Sequence, residues 1–368
     1  MNSERIPLSA AERVSFTLRS LYRSRGYSQY KMNKFEEYDL YAKNKDFLIS
    51  DSVITFTDNG GKLMALKPDV TLSIVKNSAD RPDEQLKVYY NENVYRAEKG
   101  SPFREIMQSG LECIGAIDDY SISEVISLAA ESLSAISSDC VLDISNIGFL
   151  CDVIAAVGLG DECDSVLRFI GEKNLHELKK LCRDKNIDKE NEEIICAMSS
   201  VCGNPETVLP KIISVLDGIL DTKPLEDMQK IIKSVEKSVY PCTLRIDFSV
   251  VDDINYYNGI VFKGYIKGIP TNVLSGGQYD GLMKRMGRRS GAVGFAVYMD
   301  MLTRLLGGAE EYDVDTVLLY TDDEISKVFC AVETLTAKGE SVMAVRQIPQ
   351  GIKYKRAVAL TEVEGILC

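Results

Sequence analysis

The chain has one histidine in 368 residues. Serine–histidine and cysteine–histidine nucleophilic catalysis both need an imidazole base. His176 would have to supply it, yet it stands in a charged stretch that reads as a helix surface. Ten cysteines are present, but none form a CxxC pair, and a single histidine offers no zinc-finger spacing. No metal and no cofactor are expected, and the scattered cysteines read as free thiols of a reducing compartment. No apolar run approaches membrane-spanning length, and Met1–Leu8 lacks a signal-peptide core. A soluble cytoplasmic protein with no membrane partner is the expectation. Cations are short as well: 43 Lys and Arg face 55 Asp and Glu, a net charge of −12. Such a chain repels phosphate backbones, so no nucleic-acid partner is expected.

What is present is an ordinary globular composition, 45% hydrophobic and 27% charged, over a length that suits one large domain and a smaller one. Ser9–Arg25 shows helical periodicity through Val14, Leu18, Leu21 and Tyr22, and Gly26 ends it. Asn59-Gly60-Gly61 predicts a hairpin between strands over 51–57 and 63–66. Pro68–Lys76 reads as a helix with Pro68 in its first turn. Strands are predicted over 87–95 and 106–114, with a loop at 97–102, and a helix over 121–137. From about 152 to 238 charged helical segments follow one another, a helical insertion between two sheet-rich halves. Strand patterns return at 244–251, 259–265 and 272–274, and a helix over 296–306 closes the body. After a linker at Gly307-Gly308-Ala309, residues 313–368 repeat a short β-α-β pattern. The fold class is therefore α+β, an antiparallel sheet with flanking helices. The expected domains are 1–308, carrying the insertion at 152–238, and a small α/β domain at 309–368.

Four segments place polar residues in apolar surroundings. They are Leu66-Lys67-Pro68-Asp69-Val70-Thr71; Tyr95-Arg96-Ala97-Glu98 with Phe103 to Glu112; Asn255-Tyr256-Tyr257-Asn258-Gly259; and Ser275-Gly276-Gly277-Gln278-Tyr279-Asp280-Gly281-Leu282. Strand side chains alternate, so Gln108, Gly110 and Glu112 share one face and Ser109 points outward. Gly110 leaves floor space for a small ligand between two polar groups. Adjacent tyrosines on a strand point oppositely, so one of Tyr256 and Tyr257 reaches that floor. Gly276-Gly277 lets backbone approach a ligand. A carboxylate suits an ammonium or an imidazole N–H, and a phenol can donate or accept. Taken singly, each segment also reads as turn glycines and satisfied surface polars.

In this order, the four segments resemble the histidyl-tRNA synthetase family. The second resembles the class II motif 2 strand-loop-strand, and the third and fourth resemble the two histidine-specific segments. The match runs from about Ile6 to Leu306, and the remainder resembles a truncated anticodon-binding domain. The resemblance implies a class II synthetase-like fold and a histidine pocket formed by Asp69, Thr71, Arg96, Gln108, Glu112, Tyr256, Tyr257, Gly276 and Gly277. Within it, Glu112 and one of the two tyrosines would take the imidazole, and Gln108, Asp69 and Thr71 the ammonium. Arg96 either holds the carboxylate or pairs with Glu98 or Glu112.

The departures bear on activity. The motif 3 arginine that holds ATP phosphates in the family is replaced by Met301, and the arginine before the double tyrosine by Asp252. The motif 2 loop is slightly shortened, with Pro102 in place of a further arginine. Removing one such donor costs roughly 3 kcal/mol of transition-state stabilisation. This pattern resembles the regulatory subunit of ATP phosphoribosyltransferase. That resemblance implies a chain without catalytic residues of its own. It implies a short-form catalytic subunit as partner, histidine as feedback ligand, and a homodimer within a larger hetero-oligomer in the first step of histidine biosynthesis. The alternatives are a working histidyl-tRNA synthetase and a synthetase-like enzyme that activates an amino acid for another purpose. Both need the missing arginines.

Overall fold

A computed structural model describes residues 10–43, 53–96, 103–236, 241–251, 256–306, 312–321 and 325–364. The expected loop at 97–102 with Pro102, as well as Asp252 and the linker glycines, lies outside the described residues. The N-terminal part runs α1 (Ala10–Ser24), β1 (Ser28–Gln29), β2 (Phe35–Glu37), α2 (Tyr38–Lys43), β3 (Thr55–Thr57), β4 (Leu63–Leu66) and α3 (Val70–Asn77). Next come β5 (Gln85–Arg96), β6 (Arg104–Gly115), α4 (Asp119–Ile136) and β7 (Cys140–Asn146). A helical stretch follows: α5 (Ile147–Ala156), α6 (Cys163–Gly171), α7 (Leu175–Asp184), α8 (Lys189–Ser200), the two-residue β8 (Cys202–Gly203), α9 (Pro205–Leu216) and α10 (Lys223–Glu236). The sheet resumes with β9 (Thr243–Asp247), β10 (Ile260–Ile266) and β11 (Leu274–Gln278), then α11 (Asp280–Arg285), β12 (Gly291–Tyr298) and α12 (Met299–Leu306). The chain ends with β13 (Val314–Leu319), α13 (Ile325–Ala337), β14 (Val342–Val345), β15 (Tyr354–Ala359) and α14 (Leu360–Glu364).

Two compact units result: 14–302, and the described residues of 1–13 and 303–368. Among the described residues, the larger unit holds a nine-stranded sheet in the order β1-β5-β6-β12-β11-β10-β7-β9-β8, antiparallel except at the β1–β5 and β7–β9 pairs. The pleat gives the sheet two distinct faces. On one, Leu111, Phe295, Gly276 and Phe262 form a row across β6, β12, β11 and β10. Tyr22 of α1 packs there on Tyr89 and Phe295, and its hydroxyl meets Ser132 of α4 at 3.0 Å. The other face carries Glu112, Gly294 and Gly277 in the neighbouring row. It is covered by α3 and α11 through Val70, Leu72, Tyr279, Leu282 and Met283. Helices α5–α10 flank the far edge, with α10 packed on α4. The smaller unit is a parallel sheet, β14-β13-β15, with α13 and α14 covering it through Leu335, Leu360 and Val363. No helix among the described residues is long and apolar enough to cross a membrane.

The predicted hairpin forms as β3–β4, closed by Asp58, whose carboxylate accepts from the amides of Gly60 and Lys62. Helices α5–α10 span Ile147–Glu236, and the order β13, α13, β14, β15, α14 spans Val314–Glu364. Several boundaries differ. Helix α3 starts at Val70 because Asp69, not Pro68, is its cap, accepting at 2.8 Å from Leu72 N–H. Residues 296–298, expected as helix, finish strand β12, where each pairs with β6. The 272–274 strand is Leu274–Gln278, so Gly276 and Gly277 are strand interior rather than turn. The strand expected over 244–251 stops at Asp247, whose carboxylate accepts from Ser249 N–H and Oγ to make a turn. Ser109 points inward: its face of the sheet lies beneath α1 and α4.

Candidate functional site

A cavity of about 670 Å³ opens on the α3 face of the sheet. That volume suits a small organic ligand with room to spare. Its floor is strand-borne: Tyr90 from β5, Gln108 and Glu112 from β6, Gly294, Ala296 and Tyr298 from β12, and Ser275 from β11. Its walls are Asp69 and Thr71 at the head of α3, Tyr256 and Tyr257 before β10, and Tyr279 at the head of α11. Arg96, Arg104, Thr271, Asp300 and Met301 line the remaining rim.

At the centre stands Glu112, 2% exposed. Thr71 Oγ1 donates to its Oε1 at 2.6 Å, and the Tyr279 hydroxyl donates to its Oε2 at 2.6 Å. Burial pushes its carboxyl up to about 8, against the opposing pull of those two donors, and the nearby Asp69 adds to the rise. Gly294, directly across the ladder, makes room for it: a Cβ there would lie 1.7 Å from Glu112 Oε2. Asp69 is likewise raised by burial, opposed by the Leu72 amide and by the charges of Arg96 and Lys67. The carboxyls of Glu112 and Asp69 and the guanidinium of Arg96 thus border a space edged by phenols, whose own ionisation burial suppresses at Tyr90, Tyr256 and Tyr279. Such a set can hold a ligand that carries both an N–H-rich head and a charged amino-acid end.

Of the nine residues expected from the sequence, seven line this cavity: Asp69, Thr71, Arg96, Gln108, Glu112, Tyr256 and Tyr257. Gly276 and Gly277 do not. Gly276 faces the opposite side, where a Cβ would lie 2.4 Å from Phe295 Cβ and 2.8 Å from Phe262 Cε2, so the rings on the two neighbouring strands exclude a side chain. Gly277 seats the Tyr257 ring, with a Cβ there falling 2.8 Å from Tyr257 Cδ1. The space over Gly110 is likewise filled by the Tyr90 hydroxyl rather than left as floor. Both adjacent tyrosines enter the cavity, because they precede β10 and lie outside any strand; their rings lie 4.8 Å apart. Glu112 takes its bonds from Thr71 and Tyr279, and Arg96 faces the Asp69 side. Lys67 is fully buried and paired with Glu92 at 2.9 Å. Met301 lines the rim beside Arg104, which reaches Asp300 at 3.4 Å. His176 is an exposed residue of α7.

Tyr90, Tyr279 and Gly294 escaped sequence reasoning. Tyr279 lay within a segment already singled out, flanked by glycine and aspartate. Tyr90 and Gly294 gave no local signal; only strand register sets them against Gly110 and Glu112.

With this geometry in hand, the chain can be set beside known proteins. The sequence profile of the family described as histidyl-tRNA synthetase matches residues 7–302. The ATP phosphoribosyltransferase regulatory subunit of Acetivibrio thermocellus is 26% identical over 364 residues, covering 95% of this chain and 86% of that protein. Among solved structures, an ATP phosphoribosyltransferase regulatory subunit/histidyl-tRNA synthetase from Bacillus halodurans superposes with a TM-score of 0.78 at 23% identity, covering 95% of this chain and 93% of that one. A chain of an ATP phosphoribosyl transferase complex from Thermotoga maritima gives 0.62 at 23% identity, covering 80% of this chain and 98% of that one.

Proposed function

The chain belongs to the histidyl-tRNA synthetase family, and from that premise we propose that it is the regulatory subunit of an ATP phosphoribosyltransferase, one that binds histidine and conveys its level to a separate catalytic subunit. The relatives named as such regulatory subunits support the assignment. The observation that carries the ligand is the buried Glu112 carboxyl held between Thr71 and Tyr279. It is an acceptor for an imidazole N–H, with the phenols of Tyr256 or Tyr257 at hand for the second ring nitrogen. Asp69, Thr71 and Gln108 then face the ammonium group and Arg96 the carboxylate.

The same cavity argues against adenylate formation. Phosphoryl chemistry needs cations where charge develops. A thioether occupies the position of Met301, and Arg104 is engaged by Asp300. The chain then acts by binding alone. Histidine shifts the complex only to the extent that it binds one state better than the other. A homodimer within a hetero-oligomer is the assembly we infer from the family.

The test is co-purification with a short-form ATP phosphoribosyltransferase catalytic subunit, followed by its assay with and without histidine. The expected result is a stable complex whose activity requires this chain and falls with histidine. A catalytic subunit that is equally active alone, with no complex, overturns the reading. Robust histidine-dependent ATP–pyrophosphate exchange by the pure chain would favour a working synthetase instead.

A further inference from the structure

Away from the cavity, two cysteines meet. Cys151 on α5 and Cys163 at the head of α6 bring their Sγ atoms to 3.4 Å. Both are free and half-buried. The chain reversal builds this approach. Helix α5 ends at Ala156, Gly158 takes a φ of +86°, and a single 3-10 turn at Gly160–Glu162 delivers Cys163 to the first position of α6. A disulfide is about 2.05 Å long, so the sulfurs need close by only about 1.4 Å.

These helices flank the backbone that carries the cavity tyrosines. Ile147 N–H of α5 donates to Gly259 O at 3.0 Å. A Cβ on Gly148 would lie 2.9 Å from Asn258 O, so the first turn of α5 is pressed on the residues just after Tyr256 and Tyr257. At the end of α6, a Cβ on Gly171 would lie 2.6 Å from Val251 Cγ2. One helix thus abuts the chain before the tyrosines and the other the chain after them.

We propose that Cys151 and Cys163 form a reversible modification site, which a low-molecular-weight disulfide oxidises to a bond between α5 and α6, stiffening the backbone at Tyr256–Gly259. Cys163 attacks first. Burial, Cys163 itself and the carboxylates of Asp152 and Asp164 push the Cys151 thiol up to about 12. The Cys163 thiolate bonds one sulfur of the reagent and expels the other half as a thiolate. Cys151 then displaces the second half from Cys163. The two leaving thiolates take up the two protons. One reagent disulfide is reduced to two thiols while two protein thiols become one disulfide, so the step balances without another oxidant. The proposal does not rest on what the cavity binds.

The test treats the reduced full chain with oxidised glutathione. Peptide mass mapping without reductant then locates the bonds, and hydrogen exchange follows the amides of 256–259. The expected result is a Cys151–Cys163 cross-link and exchange slowed roughly fivefold or more at 256–259, both reversed by reductant. Cys151→Ser stops at a glutathione adduct on Cys163, and Cys163→Ser shows neither cross-link nor slowed exchange. Adducts confined to the exposed Cys202 and Cys330, with Cys151 and Cys163 still reduced, overturn the proposal. So does a cross-link that leaves exchange at 256–259 unchanged, or a Cys163→Ser chain that slows as the wild type does.

Discussion

The hydroxyl of Tyr279 donates to the carboxyl of Glu112 across 2.6 Å, joining the head of α11 to the middle of β6 at the bottom of the cavity. The two residues are 167 positions apart in sequence. With Thr71 on the other oxygen, the carboxyl is fixed in orientation before any ligand arrives, which lowers the ordering cost of binding.

Glu112→Gln keeps an acceptor for one hydroxyl and the same shape, but replaces the other carboxyl oxygen with an N–H donor that cannot accept from a ligand N–H. Histidine affinity is expected to fall roughly ten- to a hundredfold, a loss of about 1.5–3 kcal/mol. Calorimetric titration beside melting curves checks it. A well-folded variant with unaltered affinity would place histidine elsewhere.

The raised carboxyl of Glu112 also has a consequence for stability. The folded chain keeps this proton up to about pH 8, whereas the unfolded chain loses it near pH 4.5. Between those values the folded state binds more protons, so stability is fullest below about pH 4.5 and falls as pH rises toward about pH 8. One proton sets a slope of at most about 1.4 kcal/mol per pH unit. Urea unfolding across this window is expected to be flatter for Glu112→Gln than for the wild type; parallel curves would show that Glu112 does not carry the linkage.

Gly294→Ala places a methyl 1.7 Å from Glu112 Oε2 and 2.5 Å from Leu111 O. The carboxyl must leave its position, so we expect histidine binding to disappear and stability to drop by about 1–3 kcal/mol, the usual cost of overpacking. Denaturant unfolding and the same titration measure both, and an alanine variant that binds like wild type would mean Glu112 sits differently.

Glu92→Gln tests the buried Lys67–Glu92 pair. With its charged partner gone, a fully buried ammonium is left uncompensated, which costs about 3–5 kcal/mol. Unfolding midpoints should fall accordingly, while the residual folded protein keeps its histidine affinity within about twofold. A large affinity loss with intact stability would instead tie the pair to ligand binding.

Much of this protein was legible without coordinates. The Asn59-Gly60-Gly61 turn, the charged helical insertion and the β-α-β tail follow from local periodicity and turn chemistry, because backbone preferences act over a few residues. Gln108 and Glu112 stood out as polar residues on one face of an apolar strand, whereas Asp69, Thr71 and Arg96 were singled out by the resemblance to the histidyl-tRNA synthetase family. The single histidine, the missing CxxC pairs and the scarcity of cations narrowed the chemistry before any shape was known.

Only the tertiary structure decided what each glycine makes room for and where each carboxyl finds its donor. Gly276 and Gly277 share one dipeptide, but the pleat sends one between Phe295 and Phe262 and the other beneath Tyr257. Tyr90 over Gly110 and Gly294 beside Glu112 are facts of strand register, set by pairings between β5, β6 and β12. Register depends on the whole pattern of buried faces and not on any local stretch. For the same reason Lys67, which stands beside Asp69 in the chain, turned from the cavity to Glu92: burial of an ammonium is tolerable only where a distant strand supplies its counter-charge.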